Sequence, residues 1–167
     1  MSPRSLRIES PIGVLTLVAD DDGLTNILFA NSSLAQIGLT EQDAPETPDD
    51  PVLEATARQL SEYFAGSRTS FELPLHLEGN NFERAAWRAR ATIPYGETIS
   101  YARQAELIGR PGAFRAVGGA DGRNPIPIVL PCPRVVGADG SLTGFGGGLG
   151  VKQWLLDLER GAQRLPF

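Results

Sequence analysis

Residues Ser100–Gly122 read SYARQAELIGRPGAFRAVGGADG. Ser100–Ile108 has the look of a short helix that Gly109 stops, and a second helix starts near Gly112-Ala113 and runs to about Gly122. Two short helices joined by a tight glycine-containing turn predict a helix-turn-helix. Many small helical domains share that motif, so its meaning depends on what flanks it.

Upstream, Asn81–Ala91 is a helix candidate with Phe82, Ala86 and Ala89 on one stripe, and Pro94-Tyr95-Gly96 breaks it. Downstream, Ile126–Leu130 reads as a buried strand or extended stretch, and Lys152–Glu159 as a final helix. The first half differs. Leu6–Glu9, Val14–Ala19 and Leu24–Phe29 are short β-prone runs separated by Pro11-Ile12-Gly13 and Asp20-Asp21-Asp22-Gly23. Residues 38–50 form a polar loop with Pro45 and Pro48. Asp50-Pro51 then reads as an N-cap and a first-turn proline, with Leu53, Ala57, Leu60 and Phe64 at helical spacing and Gly66 as the stop. Phe71–Leu77 is a further strand candidate. A boundary near Glu78-Gly79-Asn80 divides an N-terminal α/β domain, residues 1–78, from a C-terminal domain, residues 79–167. The fold class is α/β: a small antiparallel sheet plus helix, then a helical domain of winged helix-turn-helix type.

A chain of 167 residues can bury a sizeable core, and 41% hydrophobic with 21% charged residues is ordinary for a globular protein. There is no run long enough for a membrane span and no apolar signal core at the N-terminus, so a cytoplasmic protein is expected. One Cys and one His leave no intramolecular disulfide and no Cys/His zinc site, so no metal is expected. The net charge of −5 conceals an asymmetry: residues 1–79 carry 13 acidic and 4 basic residues, and residues 80–167 carry 7 acidic and 11 basic. The basic half is the candidate for a polyanion; an acidic solubilising half beside an ordinary one gives the same numbers.

The chemistry gathers around the single cysteine, in Asn124-Pro125-Ile126-Pro127-Ile128-Val129-Leu130-Pro131-Cys132-Pro133-Arg134-Val135. This stretch resembles the active-site signature of the O6-alkylguanine-DNA alkyltransferases, where an NPxxxxxPCHRV-like sequence is typical. Ile93–Tyr101 is similar to that family's PYGET-SY segment, and Arg115-Ala116-Val117-Gly118 to its RAVG recognition-helix segment. Gly140–Leu149 and Lys152–Glu159 resemble its GxLTGYxGG loop and KxxLLxLE helix. The order and spacing of five segments over residues 79–160 carry the resemblance; Ser10–Gly13 and Gln59–Phe64 echo the N-terminal half more loosely.

The resemblance implies direct-reversal DNA repair. Cys132 would take the alkyl group from O6 of guanine in duplex DNA, in a single turnover and without a cofactor. In the family a histidine after the cysteine acts as base through a water, a glutamate orients it, and an asparagine holds the backbone. Asn124 and Glu159 match the last two. Arg115 matches the arginine that replaces the extruded nucleotide in the stack, and Tyr101 the tyrosine that helps rotate it out; extrusion is required because a thiol cannot reach O6 inside stacked DNA. Ala116, Gly118 and Gly119 would let the helix approach the groove, and Arg123 and Arg134 could contact phosphates. Tyr101, Pro127, Val135, Phe145, Gly146 and Gly147 would line the base pocket. The partner implied is double-stranded DNA containing O6-alkylguanine, met by a monomer.

The chain departs from the family at informative places. Pro133 occupies the histidine position, and proline neither accepts a proton nor donates a backbone hydrogen bond. A positioned base contributes about 10²–10⁴-fold, so transfer should be slowed or altered. Phe114 stands where alanine is common, Asp121 where asparagine is frequent, and Phe145 in place of a tyrosine. Asp121 would face the phosphates, paired by Arg123. Two rivals remain: a protein that binds lesions without transfer, and an alkyl-transfer or thiol protein acting on a small molecule.

Overall fold

Three strands open the chain: β1 (Arg4–Ile8), β2 (Leu15–Asp20) and β3 (Gly23–Leu28). They form an antiparallel meander in the order β1-β2-β3, with Leu6 opposite Leu17 and Leu17 opposite Ile27. β2 lies between two neighbours, and its Leu15, Leu17, Val18 and Ala19 are all buried. The computed structural model describes residues 3–130, 134–136 and 149–161. The chain divides into two compact units, Met1–Leu77 and Glu78–Phe167.

In the first unit, helix α1 (Pro51–Phe64) starts as its sequence dictates. The Asp50 carboxylate accepts hydrogen bonds from the Val52 and Leu53 amides at 3.1 and 3.0 Å, and Pro51 is pre-set for the first turn. Its buried stripe is Leu53, Thr56, Gln59, Leu60 and Tyr63, so it is rotated from the expected one; Ala57 and Phe64 are half-buried. Gln59 is tolerated inside because its amide donates to Glu72 O at 3.1 Å and accepts from Glu72 N at 2.9 Å. Phe71–Leu77 is not a regular strand. Only Leu75 bridges to Leu24, through Leu24 N to Pro74 O at 2.9 Å and His76 N to Leu24 O at 2.8 Å. Pro74 has no N–H with which to extend a ladder. Gly23 admits this approach, since a Cβ there would lie 2.7 Å from Pro74 O.

The second unit is built on α2 (Asn81–Arg90), α3 (Tyr101–Leu107), α4 (Phe114–Gly122) and α5 (Leu149–Glu159). A capping box starts α2, with Glu83 N donating to Asn80 Oδ1 at 2.8 Å and Asn80 N donating to Glu83 Oε1 at 3.1 Å. The inner face of α2 is Ala86, Trp87 and Arg90, not the expected Phe82 stripe. Trp87 Nε1 donates to Ala120 O at 2.8 Å, which pins α2 to α4. Gly109, at φ 75°, turns the chain out of α3. Strands β4 (Ile99–Ser100) and β5 (Val135–Val136) pair in parallel and join the start of α3 to the residues that follow the cysteine motif. Residues 126–130 form a bridge and turn instead of an extended strand: Leu130 N donates to Ile126 O at 2.9 Å. No described helix is long and apolar enough to cross a membrane.

Candidate active site and nucleic-acid interface

Two anchors flank the cysteine motif. On the N-terminal side, Asn124 follows directly after the recognition-helix candidate α4. Its Nδ2 donates to Leu130 O at 2.9 Å and its Oδ1 accepts from Ile126 N at 2.9 Å. One side chain thus ties both ends of the turn that carries Pro127, Ile128 and Val129. The turn forces Ile128 to φ 75°, a left-handed conformation that a β-branched residue adopts only when its surroundings hold it there. Ile126, Pro127, Ile128, Val129 and Leu130 are all buried, so the turn is fixed by packing as well.

On the C-terminal side, Arg134 is only 6% exposed. Its Nε and Nη2 donate to the two oxygens of Glu159 at 2.8 and 3.2 Å, and Nη1 donates to Ile93 O at 2.7 Å. The guanidinium also lies 5.5 Å from the centroid of the Tyr95 ring. Glu159 further accepts from Gly96 N at 3.1 Å. Burial, bidentate geometry and a planar stacking partner all favour arginine at this position. Next in the chain, Val135 is buried, pairs with Ile99, and accepts a 2.6 Å hydrogen bond from Lys152 Nζ through its carbonyl. Leu130 and Arg134 are therefore held on either side of Pro131-Cys132-Pro133. Those three residues, with Phe145, Gly146 and Gly147, lie outside the described residues.

The outer face of α4 is exposed at Phe114, Arg115, Ala116 and Gly119, while Val117, Ala120 and Asp121 point inward. Gly118 faces Tyr101, whose ring carbons are 3.9 Å from where a Cβ would sit. Tyr101 is half-buried, with Lys152 Nζ 6.0 Å from its ring centroid. This arrangement brings together Tyr101, Gly118, Lys152 and Val135 in one cluster behind α4.

The comparisons with known proteins bear on this geometry. Residues 81–161 match the family described as 6-O-methylguanine DNA methyltransferase, DNA binding domain, and residues 7–77 match its ribonuclease-like domain. A methylated-DNA–protein-cysteine methyltransferase of Mycolicibacterium paratuberculosis is 50% identical over 155 residues, covering 92% of this chain and 90% of the relative. The chain belongs to this methyltransferase family. The constitutive methylated-DNA–protein-cysteine methyltransferase of Bacillus subtilis is 40% identical over 153 residues, covering 91% of this chain and 92% of its own. A crystal structure of Mycobacterium tuberculosis OGT in complex with DNA superposes with a TM-score of 0.82 at 44% identity, covering 97% of this chain and 94% of that one.

Within this methyltransferase fold three expectations are corrected. Arg134 was expected to reach phosphates; it is enclosed and committed to Glu159. Asp121 was expected to face the DNA backbone, yet it is 3% exposed and turned into the helix bundle. It lies 3.0 Å from Arg90 Nε and accepts from Gln104 Nε2 at 2.9 Å. Burial pushes its carboxyl above the ordinary range, against the opposing pull of Arg90, Gln104 and Lys152. The Arg123 pairing is also different: Arg123 binds Glu83 at 2.7 Å, and that hydrogen bond holds the Glu83 carboxyl below its usual value.

Arg90 and Lys152 went unread in the sequence. Both are almost fully buried cations, at 2% and 1% exposure. A signal existed for Lys152: it shares the stripe of Leu155, Leu156 and Glu159 at helical spacing, and all four are buried. Arg90 gave none, because its counter-ion Asp121 is 31 positions away and looked like a surface residue.

Proposed function

We propose that this member of the methyltransferase family repairs O6-alkylguanine in duplex DNA by moving the alkyl group onto Cys132. The observation that carries the reading is the pair of anchors, Asn124 on Leu130 and Glu159 on Arg134, which brackets the cysteine segment immediately behind α4. Residues 79–167 would bind DNA and accept the alkyl group, with residues 1–78 as an accessory domain.

In this scheme α4 enters the minor groove, its small residues Ala116, Gly118 and Gly119 permitting close approach. Arg115 takes the place of the extruded nucleotide, and Tyr101 helps rotate the base towards a pocket of Pro127, Val135, Phe145, Gly146 and Gly147. The Cys132 thiol first loses its proton. The thiolate sulfur then attacks the alkyl carbon in line, the bond from that carbon to O6 breaks, and O6 keeps the electron pair. Guanine returns to its neutral form by taking up a proton, and Cys132 ends as a thioether with no ready leaving route, so each molecule acts once. No cofactor enters the balance. The protein would act as a monomer in the cytoplasm.

Pro133 removes the base that normally assists thiolate formation, and the Glu159 carboxylate is already bound by Arg134. With its charge matched by Glu159, Arg134 contributes little positive potential to a neighbouring thiolate. A free thiol is a few per cent ionised at neutral pH and intrinsically nucleophilic, so transfer proceeds slowly. The rival reading, lesion binding without transfer, draws on the same Glu159 engagement. Incubation with O6-methylguanine duplex followed by intact-mass analysis separates them. Addition of one methyl group at Cys132 supports transfer, whereas stable binding without mass gain supports the rival. If neither occurs, the chemistry belongs to a small-molecule substrate.

A further inference from the structure

Three large apolar side chains stand exposed among the described residues: Val14 at 42%, Leu107 at 45% and Phe114 at 45%. Two of them bracket the turn of the helix-turn-helix, Leu107 closing α3 and Phe114 opening α4. A solitary exposed hydrophobe needs no explanation. Phe114 is different because of its neighbours. It precedes Arg115, whose guanidinium carbon lies 5.9 Å from the centre of the Phe114 ring. The other exposed residues of α4, Ala116, Gly119 and Gly122, are all small. The outer face of the helix is therefore low along its length and raised at its N-terminal end, where a flat ring and a guanidinium stand side by side.

We infer that Phe114 is a second intercalating side chain, which enters the base stack of duplex DNA beside the gap filled by Arg115. The inference rests on the reading of α4 as the DNA-facing helix. Apolar side chains wedged between base steps from the minor groove partly unstack them and kink the duplex. A phenyl ring is suited to this because every base offers a π-face on which it can stack, whatever the sequence. The guanidinium beside the ring is attracted to its face, so the two side chains reach the stack as a unit. Alanine, common at this position in the family, permits approach but cannot wedge. The phenyl ring here compensates in part for a slow chemical step, because a kinked duplex holds the extruded base available for longer.

The test compares Phe114→Ala, Phe114→Leu, Phe114→Trp and Arg115→Ala on O6-methylguanine duplex, with affinity read by fluorescence anisotropy and folding by thermal midpoint. Phe114→Ala is expected to weaken binding roughly 5- to 100-fold, with little change in midpoint because the residue is 45% exposed. Phe114→Leu should fall between. Added duplex should quench the emission of Phe114→Trp more than that of the wild type, whose Trp87 is buried and whose Trp154 is on α5. Unchanged or tighter binding by Phe114→Ala overturns the proposal, and so does lost affinity without quenching in Phe114→Trp. In either case a large loss in Arg115→Ala leaves the DNA reading standing. A wild type that does not bind duplex at all overturns both.

Discussion

Arg134 grips Glu159 through two hydrogen bonds, of 2.8 and 3.2 Å, inside the second unit, and so fixes the end of α5 to the residue two places after the candidate nucleophile. Removing one partner of such a buried pair strands the other charge, at a cost of about 3–5 kcal/mol. Glu159→Gln should therefore lower stability by about that amount in chemical denaturation. A loss below about 1 kcal/mol would mean that Arg134 finds water as soon as its partner is neutralised.

Cys132 is the only thiol in the chain. Cys132→Ser should abolish labelling by an O6-benzylguanine probe while the thermal midpoint stays unchanged. Labelling that survives the substitution would assign the chemistry to another residue.

Restoring a base tests the effect of Pro133. Pro133→His should accelerate single-turnover transfer from methylated duplex, but by less than the 10²–10⁴-fold that a well-positioned base contributes. Glu159, which would orient the imidazole, is already held by Arg134 and Gly96. An unchanged rate in a folded variant would indicate a pocket rebuilt around proline.

The Asp121 carboxyl is raised by burial, so the folded chain binds its proton more tightly than the unfolded chain does. Its contribution to stability is greatest below the unfolded value and declines as pH rises through the interval up to the folded value. Asp121→Asn should remove that pH dependence. By the same sign, asparagine, which stays neutral, should be no less stable than aspartate near neutral pH, and a loss of stability there would mean that Arg90 depends on the Asp121 charge. Denaturant titrations at several pH values check both. The salt dependence of DNA binding should not change, since Asp121 does not face solvent.

Binding to duplex should weaken steeply with salt despite the net charge of −5. Arg115→Ala should reduce the 2-aminopurine signal of an extruded base more than it reduces affinity. Equal losses in both would make Arg115 a phosphate contact.

The elements of this fold were legible where local chemistry is unambiguous. Asp50-Pro51 announces the start of α1, Gly109 the end of α3, and the strands of the meander follow their turn residues. The role of Asn124 as a backbone holder could be expected from the motif, and its two hydrogen bonds span the turn it precedes. Charge was harder to read. Asp121, Arg90 and Arg134 look like surface residues in one dimension, and each is buried against a charged partner distant in sequence; Lys152, on the buried stripe of α5, meets the Val135 carbonyl. Periodicity reports which face of a helix is apolar. It does not report that an arginine from one helix meets a carboxylate from another, so the long-range ion pairs appeared only with the tertiary structure.

Lys152 is the only lysine in the chain, 1% exposed, with its ammonium on the carbonyl of Val135. Amine-directed reagents therefore find no accessible lysine side chain on the folded protein. Acylation of Lys152 requires α5 to part from β5, so its rate measures how often that seam opens. Acylation mapped to Lys152, and so told apart from that of the α-amine, thus becomes a chemical clock for local unfolding beside the cysteine segment, with no engineered label.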